Sequence, residues 1–397
     1  MSDNARAFGL RNSRMNDTSQ NARAPLVWSR VLMFAVTFAV AVTVVPWYGF
    51  THGYSAAAWV WFAVLLYANG LAITTGYHRL WSHKTFDAHW SVRLVLMLFG
   101  SMALQNSVLH WAANHRVHHQ YVDDNDRDPY SAGRGLWFSH IGWMLRSYPS
   151  GAADFATVRD LQKDPILAFQ DRWYLPIALG MNILLPLALG WMHGDLWGVF
   201  LLAGVLRLVV SHHFTFLINS LAHAVGRQPY SDEHSARDNG WLAVLTYGEG
   251  YHNFHHQFAH DYRNGIRWWQ WDPSKWIICS LSWVGLTRRL RRTPALVIQR
   301  ARLTMQFRRV QENLKSRGSV LPHVDIERIR ATVAHEYEQF ASTLAKWSKL
   351  TDAWYQKTRE QLVHRWEEAS FRSETRALLA ELRLQYRRLE LLDAQLA

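Results

Sequence analysis

Between Val31 and His78 the chain carries no Asp, Glu, Lys or Arg, a run of 48 residues. At ~1.5 Å of helical rise per residue and ~30 Å of hydrocarbon in a bilayer, that length makes two membrane crossings rather than one. Turn formers and interfacial aromatics coincide at Pro46-Trp47-Tyr48-Gly49-Phe50-Thr51-His52-Gly53, where the break is expected. A second apolar pair follows, joined by Met192-His193-Gly194-Asp195. The predicted spans are therefore about 28–46, 55–77, 173–191 and 196–220. Four crossings put both ends of the chain on one side. Two buried helical hairpins in a large soluble protein are the competing reading.

Basic residues set the orientation. Arg6, Arg11, Arg14, Arg23 and Arg30 precede the first span, both short turns lack Lys and Arg, and residues 79–172 and the C-terminal third are rich in them. Nearly everything polar is then cytoplasmic, both termini included. Residues 1–26 lack the continuous apolar run of a secretory signal and read as a flexible cytoplasmic tail. A net charge of +12 would suit a nucleic-acid partner. The clustered apolar runs point instead to the bilayer, and no nucleic acid is expected.

Beyond Leu296, Leu303, Phe307, Val310 and Leu314, then Ile326, Ile329, Val333, Tyr337, Phe340, Leu344 and Trp347, recur at three- and four-residue spacing amid charges. Residues 297–397 thus read as a soluble helical hairpin or coiled coil, interrupted at Arg317-Gly318-Ser319-Val320-Leu321-Pro322, with self-packing or self-association as its role. The fold class is all-α: a membrane domain over 27–296, with a cytoplasmic histidine-rich centre, and a C-terminal helical extension.

One cysteine, Cys279, excludes an intramolecular disulfide, a thiolate zinc site and a cysteine-held iron–sulfur cluster, so a metal must sit on imidazole or carboxylate. His78 and His83 lie five apart at the end of the second span and need a bend or helix end to converge. His115, His118 and His119 share one face of a helical turn, and His252, His255 and His256 repeat that spacing. Imidazoles with few carboxylates suit zinc, copper, nickel or iron. Eight are too many for one ion and about right for two. Asp123, Asp124, Asp126, Asp128 and Glu249 lie near these boxes and can serve either as acceptors for the second ring nitrogens or as loop carboxylates and caps.

The boxes His78-Arg79-Leu80-Trp81-Ser82-His83, His115-Arg116-Val117-His118-His119 and His252-Asn253-Phe254-His255-His256, with Asn219-Ser220-Leu221-Ala222-His223, resemble those of membrane-bound fatty acyl desaturases of the Δ9, stearoyl-CoA type. The resemblance covers about residues 28–290 and includes Asp126-Arg127-Asp128-Pro129-Tyr130, Ser139-His140-Ile141-Gly142-Trp143 and Gly248-Glu249-Gly250-Tyr251. It implies a di-iron centre held by His78, His83, His115, His118, His119, His223, His252, His255, His256 and, through water, Asn219. It also implies a narrow acyl tunnel, with Leu66, Tyr67 and Gly70 placed along it, and Gln105, Asn106, Trp111, Arg146 and Thr215 as further substrate contacts. Arg207, a charge inside the fourth span, is expected to line that tunnel or to pair within the bundle.

Ala113-Asn114 stands where animal acyl-CoA desaturases carry Arg-Asp, and Arg146 is the sole basic residue between Trp143 and Tyr148. Acyl-CoA is the favoured substrate and an acyl-lipid the alternative. The implied reaction inserts a cis double bond at Δ9 of a saturated chain, consuming O2 and two electrons. No flavin, nicotinamide or cytochrome b5 haem motif is present, so electrons from NAD(P)H are expected through a separate ferredoxin, cytochrome b5 or flavin reductase. An acidic donor would be steered by the basic face, and the C-terminal helices are one docking place for it. The setting the sequence favours is a bacterial cytoplasmic membrane. A histidine-box membrane hydroxylase, and from another class a histidine-rich metal sensor or transporter, are the competing functions.

Overall fold

The computed structural model describes residues 24–317, 325–359 and 365–396. The N-terminal arginines up to Arg23 and the expected interruption at 318–322 lie outside these described residues. Among the described residues, four helices are long and apolar enough to cross a membrane: Trp28–Thr51, Ala56–Ser82, Tyr174–Met192 and Leu196–His223. Leu32, Val36, Phe38, Trp59, Val64 and Leu184 face outward from them, a surface suited to lipid rather than water. The fourth helix is the most enclosed.

The first span departs from the expected break at Pro46. Its helix is interrupted at Thr43 and resumes as Val44–Thr51, with Pro46 in the first turn, where its missing N–H is not needed. The turn shrinks to the residues around Gly53, whose φ of 74° suits glycine. At this end Asp195 joins two spans. One oxygen caps the fourth by accepting from Gly198 N at 2.9 Å, and the other accepts from Ser55 Oγ at 2.5 Å at the start of the second.

Arg207 is fully buried in the fourth span and pairs within the bundle. It donates to Asn182 Oδ1 at 2.5 Å, Met102 O at 3.1 Å and Ala203 O at 3.1 Å. Polar groups with no water to turn to must be satisfied in this way.

Gly70 lies where a Cβ would come within 2.1 Å of the Tyr247 ring. Tyr247 holds a positive φ of 55° and donates its hydroxyl to Leu66 O at 3.3 Å; its ring meets Tyr67 edge-on at 5.6 Å. Gly70→Ala should therefore destabilise the protein by about 1–3 kcal/mol through overpacking. Thermal unfolding of Gly70→Ala, Tyr247→Ala and the double variant checks this. A double variant showing the plain sum of the single effects would contradict the contact.

The second span ends in an 11-residue π-helical stretch, Ala72–Ser82, buried along its length. The segment after it returns against the chain beyond the last histidine box. Asp87 pairs with Arg288 and Ala88 with Thr287 in a short antiparallel ladder, extended by Arg291 N to Thr85 O and His89 N to Leu286 O.

Three long helices follow, Ala295–Arg317, Ile326–Arg359 and Arg365–Leu396. The expected stripe supplies Leu303, Phe307, Val310, Leu314, Ile329, Val333 and Phe340 to a core of their own, completed by Leu382, Leu389 and Leu396. Among the described residues the extension thus forms three helices rather than a hairpin. Tyr337 departs from the stripe and is exposed, meeting Phe307 edge-on.

Candidate metal centre

The π-helical stretch explains the awkward spacing of the first box. In a π-helix the N–H of one residue bonds the carbonyl five back, and His83 N donates to His78 O at 3.1 Å. One wide turn therefore brings the two imidazoles together edge to face, with ring centres 4.8 Å apart. The other two boxes sit on the helices Val108–Gln120 and His252–Gln257.

Among the described residues, nine imidazoles converge in two groups. Ligand-capable nitrogens of His78, His83, His115, His119 and His255 all lie within 4.8 Å of one another, as do those of His118, His223, His252 and His256. Each His-x-x-His-His box is divided. On a helix of ~3.6 residues per turn, positions four apart nearly eclipse while adjacent positions diverge by ~100°. His115 and His119 thus serve the first group and His118 the second, whereas His252 and His256 serve the second and His255 the first. Asn219 lines the neighbouring cavity and makes no side-chain hydrogen bond among the described residues.

The inward atoms are Nε2. His78 approaches His255 at 2.9 Å, His255 approaches His119 at 2.9 Å, and His83 approaches His115 at 2.8 Å. In the second group His223 and His256 each stand 3.1 Å from His252. Two nitrogens each ~2.1 Å from one ion and at right angles would be ~3.0 Å apart. The outer nitrogens support the same reading. His78 Nδ1 donates to Glu249 at 3.0 Å and His118 Nδ1 to Asp128 at 2.9 Å. A carboxylate only accepts, so Nδ1 carries the proton and Nε2 is left with a bare lone pair aimed inward. Burial first, and then the neighbouring imidazoles, hold His83, His115, His119, His252, His255 and His256 well below the usual histidine pKa. Neutral imidazoles facing one another through bare nitrogens fit a pair of cations of the imidazole-binding class.

Of the candidate carboxylates, Asp128 and Glu249 contact ligand-type histidines directly, and Asp123 acts at one remove. His223 Nδ1 faces Ser235 Oγ at 2.8 Å, and that hydroxyl donates to Asp123 at 2.6 Å. Asp124 instead accepts from Asp126 N and pairs with Arg127, so it is a loop carboxylate, and among the described residues no hydrogen bond or ion pair joins Asp126 to a histidine. Burial raises the Glu249 carboxyl pKa, but His78 and Arg79 outweigh it and hold it below the ordinary range. Arg79, fully buried, bridges Glu249 at 3.1 Å and Asp272 at 2.9 Å.

Sequence reasoning missed several participants. Tyr130 OH stands 3.2 Å from His115 Nδ1. His234 packs 5.1 Å from His256, with both ring nitrogens buried and unpartnered among the described residues. Ser235, His234, Arg79 and Asp272 are single polar residues without periodicity, and nothing local marks them.

Beside the first group lies a cavity of about 660 Å³ lined by Gln105, Asn106, Trp111, Arg146, Thr215 and Asn219 among others. Leu66, Tyr67 and Gly70 are not in its lining. Trp111 stacks on His115 at 4.7 Å and donates to Gln105 Oε1 at 3.2 Å; Gln105 Nε2 donates to Thr215 Oγ1 at 3.0 Å. Thr215 also bonds back to Ser211 O at 3.1 Å. Leu104 and Asn106, flanking Gln105, both hold positive φ, 51° and 72°, a strained loop of the kind found where a side chain must be aimed. Arg30 and Arg146 are the cationic side chains in this lining.

The sequence model of fatty acid desaturases matches residues 56–278. Over 253 residues the chain is 43% identical to acyl-CoA desaturase 1 of Saccharomyces cerevisiae, covering 63% of this chain and 49% of that one. It is 37% identical to human stearoyl-CoA desaturase 5, over 60% of this chain and 73% of the human one. It is 34% identical to the sn-2 palmitoyl-lipid 9-desaturase of Nostoc, over 68% and 92%. The chain thus spans about half the length of the yeast relatives it matches.

Proposed function

The chain belongs to the fatty acid desaturase family, and on that premise we propose that it inserts a cis double bond at Δ9 of a saturated long-chain acyl-CoA. The carrying observation is two groups of mostly buried imidazoles next to a cavity of about 660 Å³ whose lining residues Trp111 and Tyr130 contact His115. His78, His83, His115, His119 and His255 would hold one iron and His118, His223, His252 and His256 the other, with Asn219 as the tenth group. Bound iron would supply the oxidising chemistry that an unactivated methylene requires, with O2 as oxidant and two electrons from NAD(P)H through a separate redox protein. The overall change removes one hydrogen from each of two adjacent carbons; with O2, two electrons and two protons it yields the alkene and two waters.

The remaining work belongs to the protein. Trp111 fixes the His115 ring and closes one wall against water. The bonded series Trp111, Gln105, Thr215 gives the cavity a fixed polar point suited to an acyl carbonyl. Leu66, Tyr67 and Gly70 remain as chain-length contacts, with Tyr247 as the ring that limits them. Arg30 and Arg146 would hold the phosphates of the carrier. Ala113-Asn114 offers no charge there, and the Nostoc relative is named for a lipid substrate, so acyl-lipid desaturation is the second reading.

Membranes carrying the wild type or His255→Ala, supplied with labelled stearoyl-CoA, NADH and redox partners while acyl transfer is blocked, separate the readings. Oleoyl-CoA from the wild type alone supports the proposal. Conversion only of membrane lipid in unblocked membranes moves the substrate to acyl-lipid, and a hydroxylated chain moves the reaction to hydroxylation.

We place the histidine centre and both ends on the cytoplasmic side, in a bacterial cytoplasmic membrane. Two hydrogen bonds support one shared side for the start of the first span and the loop before the third: Val27 N donates to Leu145 O at 2.9 Å and Ser147 N to Pro25 O at 2.9 Å. We treat 27–296 as the desaturase unit and 297–397 as an extension that docks the acidic donor and self-associates through Leu384 and Leu391, exposed seven residues apart. A chain ending after Pro294 should keep turnover with an artificial reductant but lose about tenfold or more in kcat/KM for its native donor. Unchanged kcat/KM would remove the docking role.

A further inference from the structure

A second cavity, about 700 Å³, lies between the segment after the last histidine box and the C-terminal helices. Arg263, Arg267, Arg292, Arg302, Arg383 and Arg387 line it, and Glu390 is the one carboxylate in that lining. Asp261, behind the wall, neutralises Arg263 at 2.7 Å. Arg292 donates to the Tyr262 hydroxyl at 2.9 Å, and Arg302 lies over the Tyr386 ring at 4.3 Å. Arg383 and Arg387, one turn apart on the last helix, have neither hydrogen bond nor ion pair among the described residues. Like charges at that spacing repel, so the arrangement lacks its counter-charge.

A second observation points into the same space. Gln299 is 5% exposed and lines the cavity, yet its amide has no hydrogen-bond partner among the described residues. The amide is therefore available to a ligand in the cavity. Ile298 and Leu379 add apolar wall. A smaller cavity of about 310 Å³ shares Arg267, Arg302, Tyr386 and Glu390 and adds Arg227, Arg309 and Asp238.

We propose that this arginine-lined cavity binds a small molecule or headgroup carrying two or more phosphates. Guanidinium forks match phosphate oxygens bidentately, which favours this over a carboxylate or a lone chloride. The volume is that of an ordinary ligand pocket, ~300–1,000 Å³, and is too large for one phosphate alone. The source is either a soluble polyphosphate such as a nucleotide or a polyanionic lipid headgroup. The site is separate from the histidine centre and does not rest on the desaturase reading.

The test uses the full chain in phosphatidylcholine nanodiscs. One arm titrates tripolyphosphate and ADP; the other compares nanodiscs with and without phosphatidylinositol bisphosphate. Saturable binding at one site per chain is expected, weakened at least tenfold in R383Q/R387Q and by added salt. E390Q, which removes the cavity's carboxylate, should bind more tightly and guards against a double variant that is merely misfolded. Binding in the first arm assigns a soluble ligand and in the second a lipid. No saturable binding in either arm, or wild-type binding by both R383Q/R387Q and E390Q, overturns the proposal. So does a raised KM for the protein electron donor in R383Q/R387Q with no phosphate compound bound.

Discussion

Alanine at position 255 should abolish turnover. The Nε2 of His255 lies 2.9 Å from that of His78 and 2.9 Å from that of His119, so its removal takes the shared neighbour out of the first group. Changing a group that only orients a metal ligand costs about 10–100-fold in affinity or activity. Loss of an inner nitrogen should exceed that, leaving no product above background and at least one fewer iron per chain by elemental analysis. Glu249→Gln gives the comparison: with His78 Nδ1 still able to donate to an amide oxygen, activity should fall about 10–100-fold while the fold persists. Wild-type iron content and turnover in His255→Ala would remove that histidine from the proposed ligands.

Arg79→Met should produce the largest loss of stability. Its guanidinium lies between Glu249 and Asp272 and also donates to Tyr262 O at 2.9 Å, all in fully buried surroundings. Removing one member of such a network leaves buried carboxylates without their counter-charge, at a cost of about 3–5 kcal/mol. The exposed i,i+4 pair Arg372–Glu368 on the last helix should cost about 0.3–0.5 kcal/mol when broken. Chemical unfolding of both variants in the same detergent checks the contrast; equal, small losses would mean that burial of the Arg79 network counts for little. Because Glu249 also receives His78 Nδ1, weakened metal retention should accompany the instability.

The spans were legible because hydrocarbon tolerates so few charges that a 48-residue uncharged run admits little else. What the run did not reveal was the helix continuing through Pro46 to Thr51, since proline in a first turn costs little. The histidine clusters were visible as spacings, but their division between two groups was not, for it depends on how two helices and a π-helical turn face one another. The five-residue spacing of His78 and His83 carried the hint of a wider turn. Asp124 and Asp128 look alike in sequence, yet one caps its own loop and the other holds His118. Gly70 shows the same limit: a small residue marks close approach without naming what approaches, and Tyr247 is 177 residues away.

The wide separation of the converging histidines also bears on biosynthesis. His83 and His255 are 172 residues apart, and at about 5–20 residues per second a ribosome needs about 9–34 s to travel between them. During that interval the first-made imidazoles stand without the partners that complete either group. Copper and zinc outcompete ferrous iron at incomplete imidazole sets, so the nascent chain is most open to the wrong metal until the last histidine box, beyond the fourth span, has been made.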